Sequence, residues 1–334
     1  MRILGLSKID SGCGYHRVVL PVAFMQDIEG HITNLPTEET LDKKWDILLF
    51  NRISPYDENW IQERKNLNMK IVMDIDDDWV LPLNHVANVE YEKIRSRIEN
   101  NLIEADMVTC TNQRLFDKIV KFNSNVHIFP NALPYGFDQF TDEKQESEFI
   151  RIFWCGSITH EHDIKILSNP LRRLNDKRIQ MVMGGYNDMN EYSAYLWDKI
   201  ASYYTNNKKH NFKILRGTLP MHYMGMYSEA DICLIPLENS SWHSAKSNLK
   251  ILEAAAKKIP VIVSHVEPYS LDTDAPVLWV KKQSDWIKHI NFLINNKSAR
   301  EDYGEKIYQW AKEKYNISDI NKRRRDAFAS LIGA

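Results

Sequence analysis

The run from Ala245 to Ser264, AKSNLKILEAAAKKIPVIVS, constrains the fold of this chain more than any other segment. Ser247 and Asn248 are residue types that cap helix N-termini. From Leu249 onward the residues are good helix formers, and Leu249, Leu252, Ala255 and Ala256 fall on one face. Pro260 ends the helix, and Val261-Ile262-Val263 has the unbroken apolar character of a strand covered on both faces. The segment therefore reads as loop, helix, turn and buried strand, one unit of a parallel sheet. A helix opening directly from a loop offers backbone N–H groups and the positive end of its dipole, which suits a phosphate. Lys246 adds a full charge beside that opening. Glu253 lies off the Leu249/Leu252 stripe, where a carboxylate can accept hydrogen bonds from sugar hydroxyls. An ordinary αβ unit without a ligand is the alternative.

The rest of the chain repeats this alternation. In the first half, strands are expected at Ile3–Leu6, Asp46–Phe50, Ile71–Ile75, Ala105–Cys110 and Val126–Phe129. Helices are expected at Tyr15–Met25, where Pro21 must sit near the start or kink it, at Asn88–Glu104 and at Asn112–Lys121. Asp138 to Phe149 is acidic, polar and aperiodic, the best linker candidate. The pattern then restarts, with strands at Ile150–Trp154, Gln180–Met183, Phe212–Leu215, Asp231–Ile235 and Val261–Val263. The chain closes with helices over Asp285–Leu293, Arg300–Tyr315 and Ile317–Ile332. Such βα order predicts open parallel sheets with helices on both faces, and ligands at the carboxyl ends of the strands. The chain has 334 residues, enough for about two domains. The expected boundaries are 1–137 and 150–316, with the helix over 317–334 crossing back to the first domain and the site in the cleft between them.

Composition excludes several classes. A net charge of −2 provides no global field toward nucleic acid or an anionic membrane, so such binding would need a local patch. Cys13, Cys110, Cys155 and Cys233 have neither zinc nor disulfide-framework spacing, which fits a reducing compartment. The apolar run at the N-terminus is too short for a signal peptide, and no window has the length of a membrane span. A cytoplasmic, soluble protein is expected.

The segment 245–264 resembles the donor-binding helix of retaining glycosyltransferases of GT-B fold, the glycosyl transferase group 1 type. It departs at two places: Ala245 stands where the upstream acid of that family's paired glutamates falls, and Ile259 where glycine is usual. Further fragments resemble the same family in order. They are Ala105-Asp106-Met107-Val108-Thr109, Ile128-Phe129-Pro130-Asn131, the glycine turn Trp154-Cys155-Gly156-Ser157, and Ala230 to Leu237. The resemblance implies an α/β chain of two Rossmann-like, doubly wound domains facing across a cleft. It also implies a nucleoside-diphosphate sugar, with UDP first, as co-substrate and no further cofactor or metal. Chains of this kind are also similar to small glycosyltransferases of tailed phages, some of which add glucose or arabinose to 5-hydroxymethylcytosine in DNA.

For such an enzyme, fixed donors at the leaving diphosphate accelerate the reaction. Gly156 and Ser157 with Lys246, Ser247, Asn248 and Leu249 form the expected clamp, and Glu253 the sugar contact. The Arg/Lys pair common after the glycine turn is absent, since Ile158 to Asp163 reads ITHEHD; His160 is the replacement donor. Gly12-Cys13-Gly14-Tyr15-His16-Arg17 follows the first strand, where paired glycines let backbone approach a ligand. Gly14 and Arg17 are read as donor contacts and His16 as catalytic; a plain turn is the bland alternative. Asp74, Asp76, Asp77 and Asp78 crowd one loop and repel one another unless solvated, paired or bound to a cation. Asp77 and Asp78 are read as acceptor-binding or base. Basic clusters at Lys208-Lys209-His210, Lys257-Lys258, Lys281-Lys282 and Lys322-Arg323-Arg324-Arg325 read mostly as solvated helix ends, the last able to touch DNA phosphates.

The expected activity is hexosyl or pentosyl transfer with retention from a nucleotide sugar to a hydroxyl, with double-stranded DNA carrying hydroxymethylated cytosine as leading acceptor. A surface polysaccharide or protein hydroxyl is the alternative acceptor, and a non-catalytic sugar-binding module the alternative class.

Overall fold

The computed structural model describes residues 1–53, 68–205 and 211–333; the Lys208-Lys209-His210 cluster lies outside them. The chain divides into two compact units, 1–134 with 245–247 and 315–334, and 135–244 with 248–314.

The first unit is built on a six-stranded parallel sheet: β1 (Arg2–Leu6), β2 (Glu29–Thr33), β3 (Ile47–Asn51), β4 (Lys70–Ile75), β5 (Met107–Cys110) and β6 (Val126–Ile128), in the order β2-β1-β3-β4-β5-β6. Its strands alternate in period two between two cores. Leu48, Phe50, Ile71, Met73 and Ile75 face Ile98 and Leu102 of the helix Asn88–Glu104. Ile47, Leu49 and Val72 face Val18, Val22 and Phe328 on the other side. Phe328 belongs to the last helix, Ile317–Ile332, which also donates from Asn321 Nδ2 to the Pro21 carbonyl at 2.9 Å. The helix expected at Tyr15 runs from Gly12 to Phe24, with a π-helical stretch over Tyr15–Val19. Pro21 explains the widened turn: it has no N–H to donate, and its ring excludes a regular α turn behind it.

The second unit has strands β7 (Ile150–Cys155), β8 (Ile179–Tyr186), β9 (Asn211–Arg216), β10 (Ile232–Ile235), β11 (Val261–Ser264) and β12 (Leu278–Val280), ordered β12-β11-β10-β7-β8-β9. This is the dinucleotide-fold order, reversing direction between β7 and β10; in the first unit the reversal lies between β1 and β3. Trp154, Trp197, Tyr204, Trp286 and Ile290 fill the core on one face. The acidic stretch read as a linker is tied onto this unit. The Asp142 carboxylate meets Lys258 Nζ at 3.1 Å, Gln145 N donates to Ser228 O, and Gln139 Oε1 accepts from Met224 N. Among the described residues, no helix is long and apolar enough to cross a membrane.

Candidate functional site

In the first unit the crowded aspartates are each matched to a cation. Arg17 forks onto Asp74, Nε to Oδ1 at 2.9 Å and Nη2 to Oδ2 at 2.8 Å. Arg52 Nη2 meets Asp76 at 2.8 Å, Lys246 Nζ meets Asp77 at 3.0 Å, and Lys118 meets Asp78. Burial works to raise the Asp76 pKa, but the Arg52 charge and hydrogen bonds from Cys13 and Asn51 hold it below the usual carboxylate range. Each of the four carboxylates thus has a cation of its own, which offsets the repulsion that the sequence poses.

Two candidates of the first βα loop lie buried. Arg17, expected at the donor, is 2% exposed and donates to Asp74, to Asn131 Oδ1 and to the Phe129 carbonyl. It is a buried cross-link between β4 and the segment after β6. His16, read as catalytic, is also buried, and burial together with the Arg17 charge lowers its pKa to about 3. The imidazole is therefore favoured in its neutral form near pH 7. Gly14 serves packing: a Cβ on it would stand 2.2 Å from Ser7 Oγ. Asp77 and Asp78 keep partial exposure at the carboxyl end of β4, 25% and 17% by side chain. Ser247 Oγ accepts from Asn131 Nδ2 at 2.8 Å, and the carbonyls of Ala245 and Lys246 accept from Asn112 Nδ2. The loop before the helix is thus fastened to the first unit. Within the terminal basic cluster Arg324 is 4% exposed, with burial and then Arg17 lowering its pKa to about 9. Arg325 pairs with Asp27. Lys322 and Arg323 are exposed and Arg325 is half-buried, so only Arg324 of the cluster is internal.

In the second unit, residues gather at the carboxyl ends of β7 and β10, where the strand order reverses. Gly156 N donates to Gly184 O at 3.2 Å, and Gly185, at φ +94°, lies so close that a Cβ would stand 2.1 Å from the Gly156 carbonyl. Ser157 caps the short turn Ile158–His160. His160 Nδ1 is 2.7 Å from Asp163 Oδ2, and His243 Nε2 is 3.5 Å from Oδ1 of the same carboxylate. Asp163 is 1% exposed; burial opposes its charge, but His160, His243 and the Glu238 N–H hold its pKa below the usual range.

The helix Leu249–Ala256 lies where expected, with two differences. It is buried all round from Ile251 to Ala256 rather than along one stripe. Asn248 occupies the N-cap position, but its side chain donates to Asp272 Oδ2 at 2.7 Å and does not cap. The first-turn N–H groups are therefore not satisfied by a side-chain cap. Leu249 is half-buried at that opening. Glu253 is 6% exposed and accepts from the Tyr223 and Tyr227 hydroxyls, the latter at 2.6 Å. Burial raises its pKa. A carboxylate has further lone pairs, so two tyrosines do not exhaust it.

Sequence reasoning passed over Lys250, Asp163, His243 and Gly185. Lys250 Nζ donates to the Cys155 carbonyl at 2.8 Å, placing a cation on the glycine turn. A lysine one position inside the helix was the available signal; the Asp163–His243 pairing spans 80 residues and leaves none. Glycine turn, uncapped helix start, Lys250 and the His160–Asp163 pair together make a surface suited to a diphosphate.

No protein-family model and no curated protein matches the sequence. Solved structures do. An alpha-glucosyltransferase in complex with UDP and a 13-mer DNA containing a HMU base aligns with TM-score 0.69 at 14% identity, over 98% of this chain and 99% of that one. Anabaena HepE in complex with UDP-glucose aligns with TM-score 0.66 at 12% identity, over 99% and 100%. Sucrose-phosphate synthase from Thermosynechococcus elongatus aligns with TM-score 0.61 at 15% identity, over 86% and 74%. With two doubly wound parallel sheets and this likeness along its length, the chain has the GT-B fold of these glycosyltransferases.

Proposed function

We propose that this chain is a glycosyltransferase that takes a UDP-sugar at its second unit and moves the sugar, with retention, to a hydroxyl acceptor. The carrying observation is the convergence at the β7/β10 reversal of the Gly156 turn, the uncapped start of the helix Leu249–Ala256, Lys250 and the Asp163-held His160. Such fixed donors favour the charge that develops on a leaving diphosphate. Lys246 and Asp77, on the first unit, are proposed for the acceptor side. Two UDP-bound neighbours of matching length support the donor.

For the acceptor we propose the hydroxyl of 5-hydroxymethylcytosine in DNA. The neighbour that holds UDP together with a 13-mer DNA supports it, and the target base would have to leave the helix to be reached. Two observations favour a non-catalytic sugar-binding module instead: Ala245 stands where the resembling family has an acid, and Glu253 is already engaged by two tyrosines.

The test is incubation with UDP-hexoses and UDP-pentoses and a duplex carrying 5-hydroxymethylcytosine, followed by digestion to nucleosides and mass spectrometry. The expected product is a nucleoside heavier by one sugar. No sugar on the duplex, with donor hydrolysis present, removes the DNA acceptor but keeps the transferase. Absence of both hydrolysis and thermal stabilisation by UDP removes the transferase.

A further inference from the structure

The first unit has its own strand-order reversal, between β1 and β3, and a cavity of about 410 Å³ opens at the carboxyl ends of these two strands. That position is where doubly wound sheets take ligands, and the volume is in the range of small-molecule sites. Among the described residues, Lys8, Arg52 and Arg97 line it, with Ser11, Asn51 and Tyr91 as polar neighbours, and Asp76 pairs with Arg52 from behind. Lys8 is exposed, and Arg52 and Arg97 are half-buried.

Arg52 is held with care. Its backbone is left-handed, φ 59°, a conformation uncommon for a residue with a side chain. The Arg52 N–H to Asp74 O bond of 2.9 Å fixes it there, and Asp76 and Tyr91 orient the guanidinium. Strain of this kind persists where the surroundings over-determine it, often at a binding site. Arginine forks match phosphate oxygens in charge and geometry. The cavity exceeds the size of a bare phosphate and has room for an attached ring.

We propose that this cavity binds a phosphate group carried by the acceptor, together with the ring bearing it, through Lys8, Arg52 and Arg97. The assignment of the phosphate to an acceptor rests on the transferase reading; the anion site itself does not. The source of the phosphate is a nucleotide unit or a phosphorylated sugar, and the two separate in the test.

The test is isothermal titration of the full chain with inorganic phosphate, deoxycytidine monophosphate and glucose 1-phosphate, each with and without saturating UDP. Wild type is expected to bind at least one organic phosphate more tightly than inorganic phosphate, with affinity falling as salt rises. Preference between the two organic probes names the source. Arg97→Gln and Lys8→Gln, both away from the core, are each expected to weaken that binding about tenfold while UDP binding is unchanged. Three outcomes overturn the proposal: no binding of any probe by a chain that still binds UDP, unchanged affinity in both variants, or displacement of the probe by UDP. Phosphate binding by a chain that fails to bind UDP keeps the anion site and removes the transferase reading instead.

Discussion

Arg17 and Asp74 form a two-bond fork inside the first unit, at 2.9 and 2.8 Å, with side chains 1% and 2% exposed. Thr109 Oγ1 donates to the same carboxylate, so β4 and β5 share the anion. Removing one partner strands the other charge in the interior. Arg17→Met is expected to lower stability by about 3–5 kcal/mol, and Asp74→Asn by a comparable amount. The double variant is expected to lose less than the sum, because neither charge is then left alone. Urea unfolding of the four proteins measures this; strict additivity would show that the pair is not coupled.

His16 gives the acid limb of the stability curve. Its pKa falls from 6.5 to about 3 on folding, first through burial and then through Arg17. The unfolded chain therefore binds the extra proton between those values, so stability is complete above pH 6.5 and is lost as pH falls toward 3. His16→Gln is expected to flatten that limb, by about 2–4 kcal/mol between neutral pH and pH 4. Denaturation midpoints at pH 7, 5 and 4 decide it, and parallel curves for variant and wild type would contradict it.

Glu253 has the opposite sign. Burial raises its pKa above 4.5, so the folded chain holds the proton more tightly and stability falls as pH rises from 4.5 through the folded value. Glu253→Gln keeps a partner for Tyr223 and Tyr227 and removes the buried charge. It is expected to be at least as stable as wild type at pH 7, within about 1 kcal/mol, yet weaker for UDP-sugar if the carboxylate meets sugar hydroxyls. Thermal melts with and without UDP-glucose separate the effects; lost stability with unchanged ligand shift would assign Glu253 to the core alone.

The sequence showed those elements whose packing is written into their own residues. Asn88–Glu104 and Ile317–Ile332 lie as read, because each carries its periodic apolar positions and ends where they end. β2 was invisible: Glu29 to Thr33 has an exposed edge-strand pattern and owes its form to pairing with β1. β12 is an edge strand of three residues. The helix Glu191–Thr205 was passed over although Leu196, Trp197, Ile200 and Tyr204 recur at helical spacing. Of the candidate site, the glycine turn and the helix start were legible because backbone chemistry marks them. Arg17 and His16 lie buried, which their residue types alone do not tell.

The neighbour of the glycine turn makes the sharpest test of the donor surface. Gly185 sits at φ +94°, and an added Cβ would meet the Gly156 carbonyl at 2.1 Å, against backbone that cannot swing aside. Gly185→Ala therefore has to push the Gly156 turn away from its bond to Gly184 or bend β8. The expected loss is about 2 kcal/mol or more of stability, from strain at a left-handed position and from the contact itself. Under the donor assignment a second loss follows, because the same shift moves the Cys155 carbonyl that holds Lys250. In wild type, UDP at a hundred times its dissociation constant is expected to stabilise by about 2.7 kcal/mol. Gly185→Ala should shrink that increment well beyond its effect on the unliganded melt. Gly304→Ala is the control: its Cβ would meet the Lys258 carbonyl at 2.2 Å, so it too should destabilise, but with the UDP increment intact. Equal increments in both variants would place UDP away from the Gly156 turn.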